Sequence, residues 1–328
     1  MFISKSVVAV VDSCGLPGSC NRAMAALTWD IHTASEEWLI EFCQRAEKEN
    51  GLIGGHKEGD RVVKLSNDIA AKFGHGVAAS EAETQEFAHR NANPSIVHVP
   101  RVYRFFQRND PTWHCPKGYL FMEYVPGQAL QELDLGANTD IIPRVAKIVA
   151  HFGQIQDSQV PGPIGEGQPE GYLWGDDGAR TTFTCVADME AWLNKRLSLR
   201  NKSIDLGSHP LVLCHMDLCR RNIILEKNNT ICLFDWGFAG LYPRFFEIAS
   251  LSCLNPYDEP YEKPLLQATT TLLGLTVEEK HSMDLLQIAR AANLRYTFEV
   301  DGNEYGLPDD FHSLPPPSPL PSQSSNPL

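Results

Sequence analysis

Two short stretches decide the fold of this chain, His215-Met-Asp-Leu-Cys-Arg-Arg-Asn222 and Phe234-Asp-Trp-Gly237. Between them, two apolar runs flank a polar turn at residues 228 and 229, a pattern typical of a β-hairpin. Pairing the runs about that turn sets Asn222 opposite Asp235 at the open end of the hairpin. Amide and carboxylate oxygens that meet at one point suit a hard cation such as Mg²⁺. We therefore predict that Asn222 and Asp235 are metal ligands.

The loop that leads into this hairpin carries a further carboxylate, Asp217, five residues before Asn222. A carboxylate at that place is suited to receive a proton from a substrate hydroxyl. The complete spacing, D-x4-N followed by a strand and D-x-G, is that of a phosphoryl-transfer site. The predicted catalytic set is Asp217, His215 and Asn222.

Composition narrows the class of protein. With 328 residues and 43% hydrophobic content, the chain can bury a large core as two lobes or domains. A formal charge of −13 argues against nucleic-acid binding, which needs basic surfaces to neutralise phosphate. Because no apolar run reaches the roughly 20 residues of a membrane span, we expect no membrane partner. Nine cysteines without a C-x-x-C pair fit a reducing compartment, and we expect a soluble cytoplasmic protein.

The hydrophobic pattern divides the chain into four segments. Residues 1–50 are predicted to be an N-terminal extension that ends in a helix. Residues 51–125 alternate like strands and predict a small β-rich lobe, whereas residues 126–312 are mostly helical and contain the catalytic loop. Residues 313–328 form a Pro/Ser tail that should stay disordered. We predict an α+β fold of two lobes with a cleft between them.

The two stretches resemble the aminoglycoside phosphotransferase/choline kinase-like family of the protein-kinase-like fold, and more closely the fungal phosphotransferase-family proteins. The resemblance covers roughly residues 60–300, and its most specific parts are Cys214–Leu225 and Leu233–Ala249. Weaker supporting motifs precede them in the order Ala71–Gly74, Glu81–Glu83, Val99–Tyr103 and Phe121–Gly127. The resemblance implies a phosphotransferase that uses ATP and Mg²⁺.

The resemblance also implies a phosphate-binding lysine in the small lobe. Lys72, near the end of a predicted strand, would contact the α- and β-phosphates of ATP. Lys64, on the preceding strand, is the rival lysine. A carboxylate at the start of the next helix would hold Lys72 in place. We choose Glu83 for that partner, with Glu81 as the alternative.

The same resemblance places the adenine at the linker between the lobes. Backbone groups of Glu123 and Val125 would bond the edge of the base, so the identity of these side chains matters little. The Gly-rich residues 51–59 lack a clean G-x-G-x-x-G pattern. Lys72 and Mg²⁺ would therefore make most of the contacts with the phosphates.

Several residues around the catalytic loop are expected to support it. We expect His215 to bond the backbone near Asp235 and Glu247 to brace the loop from below. Trp236 should pack into the core. Arg220 and Arg221 are expected to be structural, one of them pairing with a carboxylate of the lobe. The alternative is that one of them contacts the γ-phosphate or an acidic group of the substrate.

The acceptor of the phosphoryl group is expected to be a small molecule. Only 12 positions separate Asp235 from Glu247, which leaves no room for the long segment with which protein kinases bind peptides. Met216 also stands where many protein kinases have an arginine. A non-catalytic nucleotide-binding or scaffold protein of the same fold is the alternative, and a protein kinase is the third possibility. The acceptor's identity and the oligomeric state stay open.

Overall fold

The N-terminal lobe is built on an antiparallel sheet of five strands. The computed structural model describes residues 29–113, 115–165, 167–253, 258–296 and 298. The elements of this lobe are α1 (Glu36–Asn50), β1 (Gly54–Gly55), β2 (Arg61–Lys64), β3 (Ile69–Gly74), α2 (Ala79–Asn91), β4 (Val102–Arg108) and β5 (Lys117–Glu123). The strand order is β1-β2-β3-β5-β4.

Helix α1 closes one face of this sheet. Ser35 caps the helix by accepting a hydrogen bond from the Trp38 N–H at 3.2 Å. The buried side chains of α1 are Leu39, Cys43 and Ala46, and they share one core with residues of β2, β3 and β5. The helix at the end of the predicted N-terminal extension is thus integrated into the core of this lobe.

The other face of the sheet faces α2 and the cleft between the lobes. Side chains alternate between the two faces along each strand, so residues in register share a face. Val62, Lys72 and Leu120 stand in register across β2, β3 and β5. Leu120 packs against Ala82 of α2. The alternation therefore turns the Lys72 side chain inward, towards α2.

The larger lobe is mainly helical. Its elements are β6 (Gly127–Ala129), α3 (Ile141–Phe152), α4 (Val186–Leu197), β7 (Leu211–Cys214), β8 (Ile223–Glu226), β9 (Ile231–Leu233), β10 (Gly240–Pro243), α5 (Phe245–Leu251), α6 (Glu259–Leu273) and α7 (Val277–Arg295). The strands form a sheet of order β6-β8-β9 and a separate pair, β7 with β10. The predicted two-lobed α+β fold is confirmed, whereas the boundaries at residues 51 and 126 stay predictions.

Trp236 belongs to the core of the larger lobe. Its ring is fully buried and lies 5.8 Å from the Phe152 ring and 4.7 Å from the His215 ring, between centroids. The indole N–H donates to the Leu233 carbonyl at 3.2 Å. The prediction that Trp236 packs into the core is confirmed, and its ring supports the catalytic loop through His215.

The β8–β9 hairpin has a register that differs from the predicted one. The sequence pairs Asn222 with Asp235. In the structure Asn222 lies opposite Phe234, whose N–H donates to the Asn222 carbonyl at 2.9 Å. The same register continues along the strands, where Ile223 stands opposite Leu233. The predicted pairing is therefore wrong by one position.

The shape of the turn explains the shift. Three residues connect Glu226 to Thr230, and the Glu226 N–H donates to the Thr230 carbonyl at 2.9 Å. Asn229, the last of the three, has a left-handed φ of 67°, which asparagine adopts more readily than most residues. A three-residue loop replaces the expected two-residue turn, so Asp235 lies just beyond the paired strands.

Three further predictions concern the C-terminal tail, membrane-crossing helices and the cysteines. The predicted disordered tail, residues 313–328, lies outside the described residues. Within the described part of the chain, none of the helices combines the length and the apolar character that crossing a membrane requires. The seven cysteines in this part are all free thiols.

His98 connects the two lobes beside the linker. Its Nε2 lies 3.1 Å from Glu123 Oε2 at the end of β5, and its Nδ1 lies 2.9 Å from Glu226 Oε1 on β8. Hydrogen bonding to Glu123 and then to Glu226 raises the pKa of His98 to about 9, against the opposing effect of burial. The imidazolium form therefore bridges two carboxylates that belong to different lobes.

We predict that this bridge makes stability depend on pH. Because the folded pKa of His98 is about 9 and the ordinary value is 6.5, its contribution is complete below pH 6.5 and is lost as pH rises through 9. His98→Gln should lower the free energy of unfolding by about 2 kcal/mol at pH 6 and by much less at pH 9.5. Urea unfolding at both pH values measures this.

His281→Gln is the matched control, since it removes an exposed histidine from α7. It should leave the stability nearly unchanged at both pH values. A loss for His98→Gln that is the same at pH 6 and pH 9.5 would contradict the bridge.

Candidate active site

A buried carboxylate braces the loop that follows β7. Glu247, on α5, accepts hydrogen bonds from the backbone N–H groups of His215 and Met216, the latter at 3.1 Å. Met216 has a left-handed φ of 66°, uncommon for a residue of its size, and the surrounding bonds hold it there. Burial raises the pKa of Glu247 to about 7. The prediction that Glu247 braces the loop is confirmed.

His215 ties the loop to the segment before Asp235. Its Nε2–H donates to the Phe234 carbonyl at 2.8 Å, and its Nδ1 accepts the Asp217 N–H at 3.3 Å. One nitrogen that donates and one that accepts define a neutral imidazole. Burial lowers the pKa of His215, which favours the same neutral form. The expected contact of His215 with the backbone near Asp235 is confirmed.

Asp217 lies at the centre of a hydrogen-bonded group and is only 2% exposed. Its Oδ2 accepts hydrogen bonds from Arg221 Nη2 and from Asn222 Nδ2, both at 2.9 Å. Its Oδ1 accepts one from the Tyr172 hydroxyl at 3.2 Å. Three side chains thus hold the carboxylate in one orientation.

Tyr172 is a site residue that the sequence does not reveal. It precedes Asp217 by 45 positions and lies in a short 3₁₀ turn, Tyr172–Trp174. Its hydroxyl also accepts a hydrogen bond from Arg221 Nη2 at 3.1 Å. No spacing rule links such a turn to the catalytic loop, so only the folded chain brings the two together.

The two arginines of the loop have different partners. Arg220 donates through Nε and Nη2 to both carboxylate oxygens of Asp258, at 2.9 and 2.6 Å. This bidentate pair is the expected contact with a carboxylate of the lobe. Arg221 instead pairs with Asp217 itself, at 2.9 Å. Arg221 therefore belongs to the immediate surroundings of the candidate base.

Two buried oxygens at the mouth of the hairpin have no hydrogen-bond partner among the described residues. They are Asn222 Oδ1 and Asp235 Oδ2. A buried polar atom without a partner is costly, and an absent ion is one of the explanations for it. Asn222 is oriented by its amide donation to Asp217, and Asp235 by its contact with Lys72 at 2.8 Å. One amide and one carboxylate oxygen form a donor set that suits Mg²⁺.

Lys72 lies between two carboxylates and is only 2% exposed. Its Nζ is 2.5 Å from Glu81 Oε1 and 2.8 Å from Asp235 Oδ1. Burial by itself would lower the pKa of Lys72, but the charges of Asp235 and Glu81 outweigh it and raise that pKa. Burial raises the pKa of Glu81 as well. The ammonium group is therefore charged and connects β3, α2 and the end of the hairpin.

The choice of Glu83 as the partner of Lys72 is wrong. The structure gives that contact to Glu81, the alternative. Residues two positions apart on a helix do not share a face. Because Glu81 faces the sheet, Glu83 is exposed and packs against the backbone of Gly165, where an added Cβ would lie 1.8 Å from Glu83 Oε2. Lys64, the rival lysine, lies 4.1 Å from the centroid of the Tyr124 ring.

The linker between the lobes borders an apolar cluster formed by both of them. The cluster comprises Val62, Ala70, Tyr124, Val125, Ile224, Cys232 and Phe234. In the linker, the Glu123 N–H donates to the Arg101 carbonyl at 2.9 Å, and the Tyr124 N–H to the Asp68 carbonyl at 3.0 Å. The Glu123 side chain bonds His98. The side chains of Tyr124 and Val125 thus contribute to the apolar cluster, while Glu123 is held by His98 and by the Arg101 carbonyl.

These groups form one site with two sides. On the hairpin side are a buried lysine and two unpartnered oxygens, which suit an anion accompanied by a divalent cation. On the loop side is an oriented carboxylate beside a hydroxyl, which suits an alcohol. A two-lobed fold with this arrangement defines a kinase that acts on hydroxyl groups.

Comparison with known proteins identifies the family. The model of the phosphotransferase enzyme family matches residues 45–286, which is most of the chain. The chain therefore belongs to this family and is a phosphotransferase with an alcohol group as acceptor. Among curated proteins, no sequence matches it.

Solved structures of similar fold include three kinds of phosphotransferase. Aminoglycoside phosphotransferase APH(4)-Ia is 16% identical, with a TM-score of 0.45 over 72% of this chain and 81% of that one. An aminoglycoside-3′-phosphotransferase of type VIII is 17% identical, with a TM-score of 0.46 over 72% and 90%. A choline/ethanolamine kinase family protein from Mesorhizobium loti is 15% identical, with a TM-score of 0.43 over 71% and 74%. At these sequence identities and TM-scores, the structural similarity gives no information on the acceptor.

We predict that Lys72→Met destabilises the protein in a pH-dependent way. The variant leaves Glu81 and Asp235 buried and close together without a cation, at a cost of about 3–5 kcal/mol at pH 8. Burial and mutual repulsion raise the carboxyl pKa above its unfolded value, so the variant regains stability as pH falls through the raised value. Urea unfolding should therefore show a smaller loss at pH 5 than at pH 8.

Lys64→Met is the matched control, because it removes the rival lysine from the neighbouring strand. It should cost less than about 1 kcal/mol at either pH, since it removes only a contact with an aromatic ring. A larger loss for Lys64→Met than for Lys72→Met would show that the wrong lysine has been assigned.

Proposed function

We propose that this protein transfers the γ-phosphoryl group of ATP, with Mg²⁺, to a hydroxyl group of a small molecule. The observation that carries the proposal is the pair of buried oxygens without partners, Asn222 Oδ1 and Asp235 Oδ2, at the end of the hairpin. Lys72 lies on one side of this pair and Asp217 on the other. A cation held there would be between a donor phosphate and an acceptor hydroxyl.

The donor half of the site would be formed by both lobes. Asn222 and Asp235 would hold Mg²⁺, which supplies charge neutralisation for the phosphate oxygens when it is bound. Lys72 would contact the α- and β-phosphates while Glu81 keeps its side chain in place. The backbone of Glu123 and Val125 would bond the edge of the adenine. The apolar cluster around Val125 supports a flat base at that position.

In the acceptor half, Asp217 would orient the hydroxyl group and receive its proton. Arg221 and Asn222 both donate to Oδ2, so the substrate hydroxyl would approach Oδ1. Oδ1 accepts a hydrogen bond from the Tyr172 hydroxyl and has a second lone pair for another donor. The acceptor oxygen would form a bond to the γ-phosphorus as the bond from that phosphorus to the β,γ-bridging oxygen breaks, and ADP leaves. Because the transition state is loose, orientation contributes more than basicity.

The short connection after Asp235 supports a small acceptor. Strand β10 pairs with β7 directly after the D-W-G turn, and α5 begins at Phe245. The described residues between Asp235 and α5 therefore contain no long segment on which a peptide could lie. The seven free cysteines among the described residues support a reducing, cytoplasmic location.

We predict that Mg²⁺ and ATP together raise the melting temperature and that Asp235→Ala abolishes the rise. The physical reason is that ligand binding to the folded state stabilises it in proportion to RT ln(1 + [L]/Kd). A thermal-shift titration with ATP, with and without Mg²⁺, measures the effect. Asn228→Ala, at the exposed tip of the same hairpin, is the control and should respond like the wild type.

We predict that Asp217→Asn binds the nucleotide normally and loses transfer by a factor on the order of 10²–10⁴. ADP release in a screen of aminoglycosides, choline-like amines and hydroxylated metabolites measures turnover. Asp157→Asn, on the exposed connection after α3, should keep full activity. If the wild type binds ATP but turns over with no acceptor, the non-catalytic alternative is correct. Phosphorylated peptides in a lysate would support the protein-kinase alternative.

A further inference from the structure

One nitrogen of the catalytic loop is buried without a hydrogen-bond partner among the described residues. It is Nε of Arg221, an N–H donor. The neighbouring Arg220 offers a comparison, because its Nε and Nη2 both donate to Asp258. Buried donors without a partner are rare in folded chains, and a catalytic role is one of the explanations for them. Arg221 therefore has a donor that its contacts within the chain do not use.

The other contacts of Arg221 fix the direction of this donor. Its Nη2 donates to Asp217 Oδ2 at 2.9 Å and to the Tyr172 hydroxyl at 3.1 Å. An Nη nitrogen carries two hydrogens, so these two bonds use both of them. Because the guanidinium group is planar and rigid, holding Nη2 also fixes where the Nε–H points. The side chain keeps 19% of its surface exposed, so a ligand can reach part of it.

Arg221 also lies close to the proposed cation site. Asn222 Nδ2 donates to the same oxygen of Asp217 that accepts the Arg221 bond, and each of these contacts is 2.9 Å long. The other end of that amide, Oδ1, is one of the two buried oxygens that would hold Mg²⁺. One carboxylate oxygen and one amide thus connect the guanidinium group to the position of the cation. An oxyanion bound to the cation and placed against Asp217 would lie beside Arg221.

The balance of charge favours a cation on this side of the site. Asp217, which would orient the acceptor hydroxyl, is a buried carboxylate and repels the phosphoryl group that must approach it. Lys72, on the opposite side, is already shared between Glu81 and Asp235. Arg221 lies 2.9 Å from Asp217 and stays protonated, so its charge offsets that repulsion.

We propose that Arg221 is a further catalytic residue, whose Nε–H bonds an oxygen of the γ-phosphoryl group during its transfer. The inference rests on the proposed function and adds a residue to it. As the acceptor oxygen bonds to the γ-phosphorus, the bond from that phosphorus to the β,γ-bridging oxygen breaks and Asp217 Oδ1 receives the hydroxyl proton. Arg221 keeps its own proton and donates a hydrogen bond. The charge of the loose transition state is spread over three equatorial oxygens, which a guanidinium donor suits.

The test compares two complexes that differ in a stand-in for the transferred phosphoryl group. Calorimetry measures the affinity for ADP with Mg²⁺, first alone and then with aluminium fluoride, whose fluorides take the places of the phosphoryl oxygens. Arg221→Gln should bind ADP with Mg²⁺ within about twofold of the wild type. It should bind the aluminium fluoride complex at least about tenfold more weakly, because a charge-assisted hydrogen bond is lost.

A second background separates this contact from a merely structural role. If Arg221 acted only by holding Asp217, Arg221→Gln would cause no further loss in a protein that already carries Asp217→Asn. We expect the selective loss to persist in that background. If Arg221→Gln does not fold, Arg221→Lys keeps a charge beside Asp217 without the planar group, and it should show the same selective loss, by several-fold.

Arg220→Gln is the matched control. It removes the same charge from the neighbouring position of the loop, but Asp258 takes up both Nε and Nη2 of Arg220. Its affinity for both complexes should match that of the wild type.

The proposal is overturned if the wild type binds both complexes and Arg221→Gln either matches it in both or loses both equally. A wild type that gains no affinity from aluminium fluoride would overturn it too. Unchanged aluminium fluoride binding, with turnover lost only for acceptors that carry a carboxylate or phosphate, would assign Arg221 to the acceptor instead. Failure of the wild type to bind ADP with Mg²⁺ would contradict the proposed function itself.

Discussion

The contact of the Lys72 ammonium with Glu81 and Asp235 is the interaction on which the arrangement of the site depends. It joins a strand and a helix of the small lobe to a residue of the large lobe that lies 163 positions away. A charge buried to this degree is tolerated only with opposite charge beside it. The two carboxylates therefore fix where α2 and the end of the hairpin stand relative to the sheet, and the cleft takes its shape from that.

Two buried polar atoms without a hydrogen-bond partner among the described residues lie together at the end of the hairpin. They are the oxygens of Asn222 and Asp235, a donor pair that suits a cation. In the catalytic loop, by contrast, Glu247 accepts hydrogen bonds from the buried backbone N–H groups of His215 and Met216. The contrast is informative because folded chains seldom leave buried polar groups unpaired.

Much of the fold and the chemistry of the site could be predicted from the sequence, because they depend on residues that are close together along the chain. The spacing of Asp217, Asn222 and Asp235 indicates a phosphoryl-transfer site, since a loop and a hairpin bring residues at such separations to one end of a short sheet. Alternation along β3 turns Lys72 inward for the same local reason. The packing of Trp236 into the core and the bracing role of Glu247 could also be predicted, because both residues lie close to these elements along the chain.

The tertiary structure decided the features that depend on distant parts of the chain or on small differences in backbone geometry. The left-handed conformation of Asn229 lengthens the turn and moves the register by one position. The rotation of α2 selects Glu81 over Glu83, because both lie near the same end of the helix and only its packing determines which faces the sheet. Tyr172 reaches Asp217 through a contact between segments that lie 45 positions apart in the sequence. The sequence by itself determined which chemical groups are present and which of them are local neighbours; the folded chain determined their partners, because those contacts depend on how whole elements pack.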